Sequence, residues 1–242
     1  MIDKRKVEHL MECARKAFFP DVYGRRSDRE KGLSVLLGEL VGEDKAAVFM
    51  KELPAIRHEL QTDVEAIANN DPAASDREEI IACYPGIEAI LHYRVAHRLL
   101  GLDIPILPRF ITELAHSATG IDIHPAAKIG EYFAIDHGTG VVIGATSVIG
   151  SHVMLYQGVT LGARNFKYDT KGRPIDLPRH PILEDNVTVY SNTSILGNVR
   201  IGHDTVIGGN IWLTHDVPPY SRILQSKAKE SCQNFDLNDP KR

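Results

Sequence analysis

The sequence predicts an α-helical first half followed by a parallel β-helix built from hexapeptide repeats. Three observations carry that prediction. Up to about residue 120, apolar residues recur at steps of three and four. Beyond it the step becomes six. The six-residue beat then breaks between Gly162 and Pro181, where the chain turns polar. With 242 residues, 43% apolar and 25% charged, the chain is long enough to bury a core for both halves.

In the first half, "EDKAAVFMKELPAIRHELQTDVEAIANN" sets Phe49, Leu53, Ile56, Leu60, Val64 and Ile67 on one helical face. Pro54 lies inside this run and predicts a kink or a break. "NNDPAAS" is a stop signal, and Asp76 is placed to cap the helix that follows. The segments 85–102 and 105–120 read as two further helices, each opened by a proline and closed near a glycine.

In the second half, Ile123, Ile129, Ile135, Val141, Val153 and Val159 fall on one six-step column, with Ser147 as its gap. Ile143, Ile149, Leu155 and Leu161 form a second column two residues out of step. Leu183, Val189, Ile195, Ile201, Ile207 and Leu213 then keep the step without a miss, and a small or β-branched residue often follows four places on. Each hexad makes a short strand and a turn, and three close a triangular coil whose interior is continuous from coil to coil. The polar segment "ARNFKYDTKGRPIDLPRH" cannot continue the strands, and a long loop in so compact a repeat is expected to be functional or disordered.

Composition narrows the function. A net charge of −4 gives no basic stripe for nucleic acid. Cys13, Cys83 and Cys232 are scattered and odd in number, which argues against a disulfide framework and for a reducing compartment. No segment reads as a signal peptide or a bilayer span, so the expected location is cytoplasmic.

The ordered set "DIHPAAKIG", "IDHGTGVVIG", "YQGVTLGA", "PRHP" and "SILGNVRIG" resembles the serine O-acetyltransferases, over roughly residues 60–217. The resemblance implies a left-handed parallel β-helix over residues 121–217, with a protruding loop at 163–181. It also implies a helical domain over 1–120 that serves oligomerisation and part of the serine site, and a tail at 218–242. It implies acetyl transfer from acetyl-CoA to L-serine, the first step of cysteine biosynthesis from serine, without a metal.

A serine hydroxyl is a poor nucleophile, so attack on a thioester needs a base within hydrogen-bonding distance, and imidazole suits that task. By resemblance His137 is the base and Asp122 its orienting partner; they stand 15 residues apart, close to one coil of about 18. Asp71 and Asp136 match the acidic residues near the substrate ammonium, Arg179 matches the residue that pairs with its carboxylate, and His180 matches the second histidine of the site. Gly162, Ser191 and Gly209 are candidates for the groove that takes the pantetheine arm, with Lys227 and Lys229 near its phosphates. The family's site lies between neighbouring subunits of a trimer, so a homotrimer or a dimer of trimers is expected. L-Cysteine is the expected feedback inhibitor. The chain does not close on isoleucine, which makes a complex with cysteine synthase doubtful.

Plainer readings stand beside these. Asp71 in "NDP" is also an ordinary turn or cap residue, and Arg179 a solvated loop charge. His203 and His215 read as solvated, His124 as making a structural hydrogen bond, and Trp212 as packed near the end of the coil. Related transferases that acetylate sugars or antibiotics have no use for a zwitterion clamp. A β-helical carbonic anhydrase would need two ligating histidines about five apart. His137, His152, His180, His203 and His215 offer no such pair. A scaffold without catalysis would have no use for the complete set.

Overall fold

The computed structural model describes residues 2–23, 26–166, 168–173, 175 and 177–226. Among these, α1 (Lys4–Phe18), α2 (Pro20–Tyr23), α3 (Arg26–Val41), α4 (Glu43–Asn70), α5 (Arg77–Cys83), α6 (Pro85–Gly101) and α7 (Leu107–Thr119) make up the first half. Asp76 caps α5 as expected, its carboxylate accepting the Glu79 N–H at 2.8 Å. Gly120 ends α7 in the left-handed conformation that a side chain would strain. The expected break at Pro54 does not occur: α4 runs through it. Pro54 lies on the exposed face, where water can take the Met50 carbonyl that loses its helical donor.

The second half is a triangular parallel β-helix of about five coils. One face, called A, stacks β1 (Asp122–Ile123), β4 (Val142–Ile143), β7 (Thr160–Gly162), β10 (Ser194–Leu196) and β13 (Trp212–Leu213). Face B stacks β2 (Lys128–Ile129), β5 (Val148–Ile149), β8 (Ile182–Leu183) and β11 (Arg200–Ile201). Face C stacks β3 (Ala134–Asp136), β6 (Met154–Tyr156), β9 (Thr188–Val189), β12 (Val206–Ile207) and β14 (Arg222–Ile223). The pairing therefore runs past residue 217 to β14, which bonds to β12.

The register corrects the expected columns. Asp122 pairs with Val142, 20 residues on, whereas Val142 pairs with Thr160 at the ordinary 18. Two residues are thus inserted in the first coil, at the corner between faces C and A. Ile123, Ile129 and Ile135 continue not into Val141 but into Ile143, Ile149 and Leu155. Val141, Ser147, Val153 and Val159 hold the second inward position of each hexad, and all four are buried. The apparent single column joined two positions across the insertion. Trp212 also departs from expectation. It points outward from face A, 72% exposed, because the neighbouring Leu213 takes the inward place.

The two halves share one core, pinned by a buried ion pair. Asp63 of α4 takes two bonds from Arg94 of α6, at 3.0 and 3.1 Å, and a third from the Phe133 N–H at 3.0 Å. Arg94 also donates to the carbonyls of Ile129 and Gly130, at 2.8 and 2.6 Å. Every charge here has partners, and removing one would leave the other buried alone, at a cost of roughly 3–5 kcal/mol. From Asp63 the helix runs two more turns, about 12 Å, before it delivers Asp71 beside the end of β3.

Candidate active site

The inserted corner is where the chemistry-bearing residues gather. His137 has φ 56°, and Gly138 and Gly140 follow at 83° and 80°. A left-handed residue with two such glycines swings the chain outward, and histidine tolerates that region better than branched residues do. His137 is exposed on the resulting bulge. Below it, the Gly140 N–H donates to the Gly120 carbonyl at 2.8 Å, which fixes the bulge on the end of α7.

Asp71 faces this corner from α4. Its carboxylate accepts the Ala73 N–H at 2.8 Å and the Tyr84 hydroxyl at 2.7 Å. The Tyr84 bond foremost, then Ala73, with the nearby His137, holds the Asp71 carboxyl below its ordinary range. The same bond pushes the Tyr84 phenol up to about 12. Tyr84 and Tyr156 both feel the charges of Asp71 and Asp136, so two carboxylates lie near this corner. Tyr156 stacks on Tyr190 at 4.8 Å between ring centres, forming an aromatic wall up face C.

Asp122 opens β1, the strand below this corner, yet its side chain is engaged elsewhere. It accepts from Arg109 of α7 at 3.0 Å rather than from His137. Glu113, His116 and Asp122 bring ligand-type atoms within 4.8 Å of one another. Arg109 pairs with both carboxylates of that group and so supplies the positive charge a cation would bring.

Arg179 and His180 sit at a different corner, between faces A and B, where the long loop returns. The Thr146 hydroxyl accepts both of their backbone N–H groups, at 2.9 and 3.1 Å, and donates to His180 Nδ1 at 2.8 Å. The Thr146 N–H also reaches Nδ1, at 3.2 Å, which leaves the ring proton on Nε2. Burial, with Arg179 and His124 beside it, pushes the imidazole down to about 4. His180 is therefore a neutral donor at neutral pH. Gly144 makes room for it: a Cβ there would overlap the ring. His124 makes the expected structural bond, accepting the Ala126 N–H at 3.1 Å. Nothing in the sequence singles out Tyr84 or Thr146, because each matters through a contact with a residue 13 or 34 positions away.

The three groove candidates divide in the same way. Ser191 and Gly209 stack at the corner between faces C and A, where a Cβ on Gly209 would lie 3.1 Å from the Ser191 carbonyl oxygen. Gly162 ends β7 at the opposite edge of face A, and its carbonyl accepts the Gly197 N–H at 2.9 Å. Beside Gly197 a cavity of about 300 Å³ opens under the loop, with Arg164, Leu177 and Arg179 on its wall. Lys227 and Lys229 lie outside the described residues.

A coiled, repeat-built fold with a histidine bulge and paired carboxylates defines a β-helical acyltransferase scaffold, and comparison with known proteins gives the family. Over 189 residues the chain is 50% identical to a plasmid-encoded serine acetyltransferase of Synechococcus elongatus, covering 78% of this chain and 59% of that protein. It is 43% identical over 171 residues to the serine acetyltransferase of Helicobacter pylori, covering 71% of this chain and 95% of the relative. Among solved structures it resembles serine acetyltransferase isoform 3 of Entamoeba histolytica in complex with cysteine. There the TM-score is 0.80 and the identity 33%, over 94% of this chain and 85% of that one. No family model matches the sequence. The chain belongs to the serine acetyltransferase family.

Proposed function

We propose that the protein transfers the acetyl group of acetyl-CoA to the hydroxyl of L-serine, giving O-acetyl-L-serine and CoA, and so opens cysteine synthesis from serine. The observation that carries this reading is the meeting of Asp71, Asp136 and His137 at the inserted corner of a chain in this family. Two carboxylates there suit an ammonium group, and an exposed imidazole beside them suits a hydroxyl proton.

In this mechanism His137 takes the proton of the serine hydroxyl as its oxygen attacks the thioester carbon. The carbon–sulfur bond breaks, and the proton passes from His137 to the departing CoA sulfur. Transfer is direct and uses no metal. Asp122, on the strand below the bulge, orients His137 once it turns from Arg109. Asp71 and Asp136 receive the serine ammonium, Arg179 and the His180 Nε2–H its carboxylate. The pantetheine arm follows Gly162, Ser191 and Gly209.

The two clusters flank face A, whose outward residues above Asp122 (Val142, Thr160, Ser194, Leu196, Trp212 and Thr214) carry no charge. This supports a site completed by a neighbouring copy that brings its own Arg179 and His180, in a homotrimer or a dimer of trimers. The helical half, 1–120, then serves assembly and supplies Asp71, while the β-helix, from 121 through β14 with its loop 163–181, supplies the chemistry. L-Cysteine, bound by the Entamoeba relative, competes at the serine position. No helix among the described residues is long and apolar enough to cross a membrane, and the reading includes a cytoplasmic location.

The test is thiol release from acetyl-CoA with L-serine, L-homoserine or a galactoside as acceptor. Release with L-serine, suppressed by L-cysteine, is the expected result. Release with the galactoside alone would keep the fold and sink the serine assignment.

A further inference from the structure

We infer that Tyr84 is a positioning residue, which fixes Asp71 as the receptor for the ammonium group of the substrate. The inference rests on the serine-acetylating reading above and adds a residue that the reading does not assign.

Asp71 stands just past the C-terminus of α4, its own N–H donating to the Ile67 carbonyl at 3.0 Å. A carboxylate there, on a short exposed turn, would ordinarily sample several rotamers. Here each oxygen is held by a different element. Oδ1 takes the Ala73 N–H from its own turn, and Oδ2 takes the Tyr84 hydroxyl from between α5 and α6. Two donors on two oxygens fix the carboxylate plane and leave each oxygen a free lone pair for a cation.

Tyr84 is itself fixed. Its N–H donates to Ile80 at 3.2 Å, and its carbonyl accepts from Glu88 at 3.3 Å. One residue later Pro85 starts α6, and Gly86 packs so closely on the Ile135 carbonyl of β3 that a Cβ would overlap it. The tyrosine is thus anchored to the strand that ends at Asp136, just before His137. Through it, the position of Asp71 is tied to the corner where the reaction is assigned. A hydrogen bond to a charged acceptor contributes more than a neutral one, so its loss is expected to weaken ammonium recognition about tenfold.

Tyr84→Phe keeps the ring and removes the donor. In the full-length protein it is expected to raise the KM for L-serine and the half-inhibitory concentration of L-cysteine, both by about tenfold. The KM for acetyl-CoA and the melting temperature should stay near wild type. An unchanged serine KM overturns the inference alone. A fall in kcat with both KM values and the melting temperature moving together assigns Tyr84 a purely structural role and overturns it as well. A wild-type protein that acetylates no serine removes the parent reading and this inference with it.

Discussion

Two corners on the same edge of the β-helix differ by two residues. In the second coil, "YQGV" (156–159) turns from face C to face A with one left-handed glycine, Gly158. In the first coil, "DHGTGV" (136–141) makes the same turn with left-handed residues at 137, 138 and 140. The shorter turn stacks like its neighbours, the Gly158 N–H donating to Thr139 below. The longer one bulges and presents His137. The lesson is that the regular coils act as a ruler, and the candidate chemistry sits where the ruler is interrupted. The loop that returns Arg179 and His180 is the second interruption.

The comparison can be broken most directly at the bulge. His137→Ala should leave the coils folded, as judged by circular dichroism and the melting curve, and lower turnover by roughly 10²–10⁴. Near-wild-type turnover would show that the insertion serves packing rather than catalysis. A smaller effect is expected at the other interruption. Gly144→Ala should push the His180 ring out of its seat and reduce kcat/KM for serine by about tenfold or more, with the fold kept. An unaffected serine kcat/KM would remove His180 from the site. The smallest effect concerns the regular coils themselves. Ser147 is buried in the apolar interior with no partner for its hydroxyl. Ser147→Ala should therefore raise stability by about 1 kcal/mol in a denaturant titration, without touching activity. A loss of stability would mean that the hydroxyl is bonded in solution, for instance to an interior water.

Much of this was legible in the residues. The six-step run from Leu183 to Leu213 could only be the inward position of a coil, because one aliphatic residue per hexad is what a shared interior requires. The phase shift at Val141 was visible too, as a second column two residues out of step. In the sequence it reads as two parallel columns, because a period alone does not say where the extra residues lie. The strand register, with Asp122 opposite Val142, locates them. Trp212 departs from its expected packing for a related reason: on a two-residue strand the position beside the inward Leu213 must face out.

By itself the sequence determined the helical half, the coil period, the loop and the identities of His137, Asp71, Asp136, Arg179 and His180 as candidates. The helices, the coil period and the loop follow from local periodicity, which acts over a few residues, and the candidates follow from short motifs that resemble the family. Only the tertiary structure decided which of them meet. Asp71 comes near enough to feel the charge of His137 because the Asp63–Arg94 pair seats α4 on the first coil, and Tyr84 reaches Asp71 because α6 packs on β3. Arg179 and His180 stand across face A because the loop springs from the other corner. Such proximities depend on helix ends and strand stacking between residues far apart in the chain, and no spacing along the sequence encodes them.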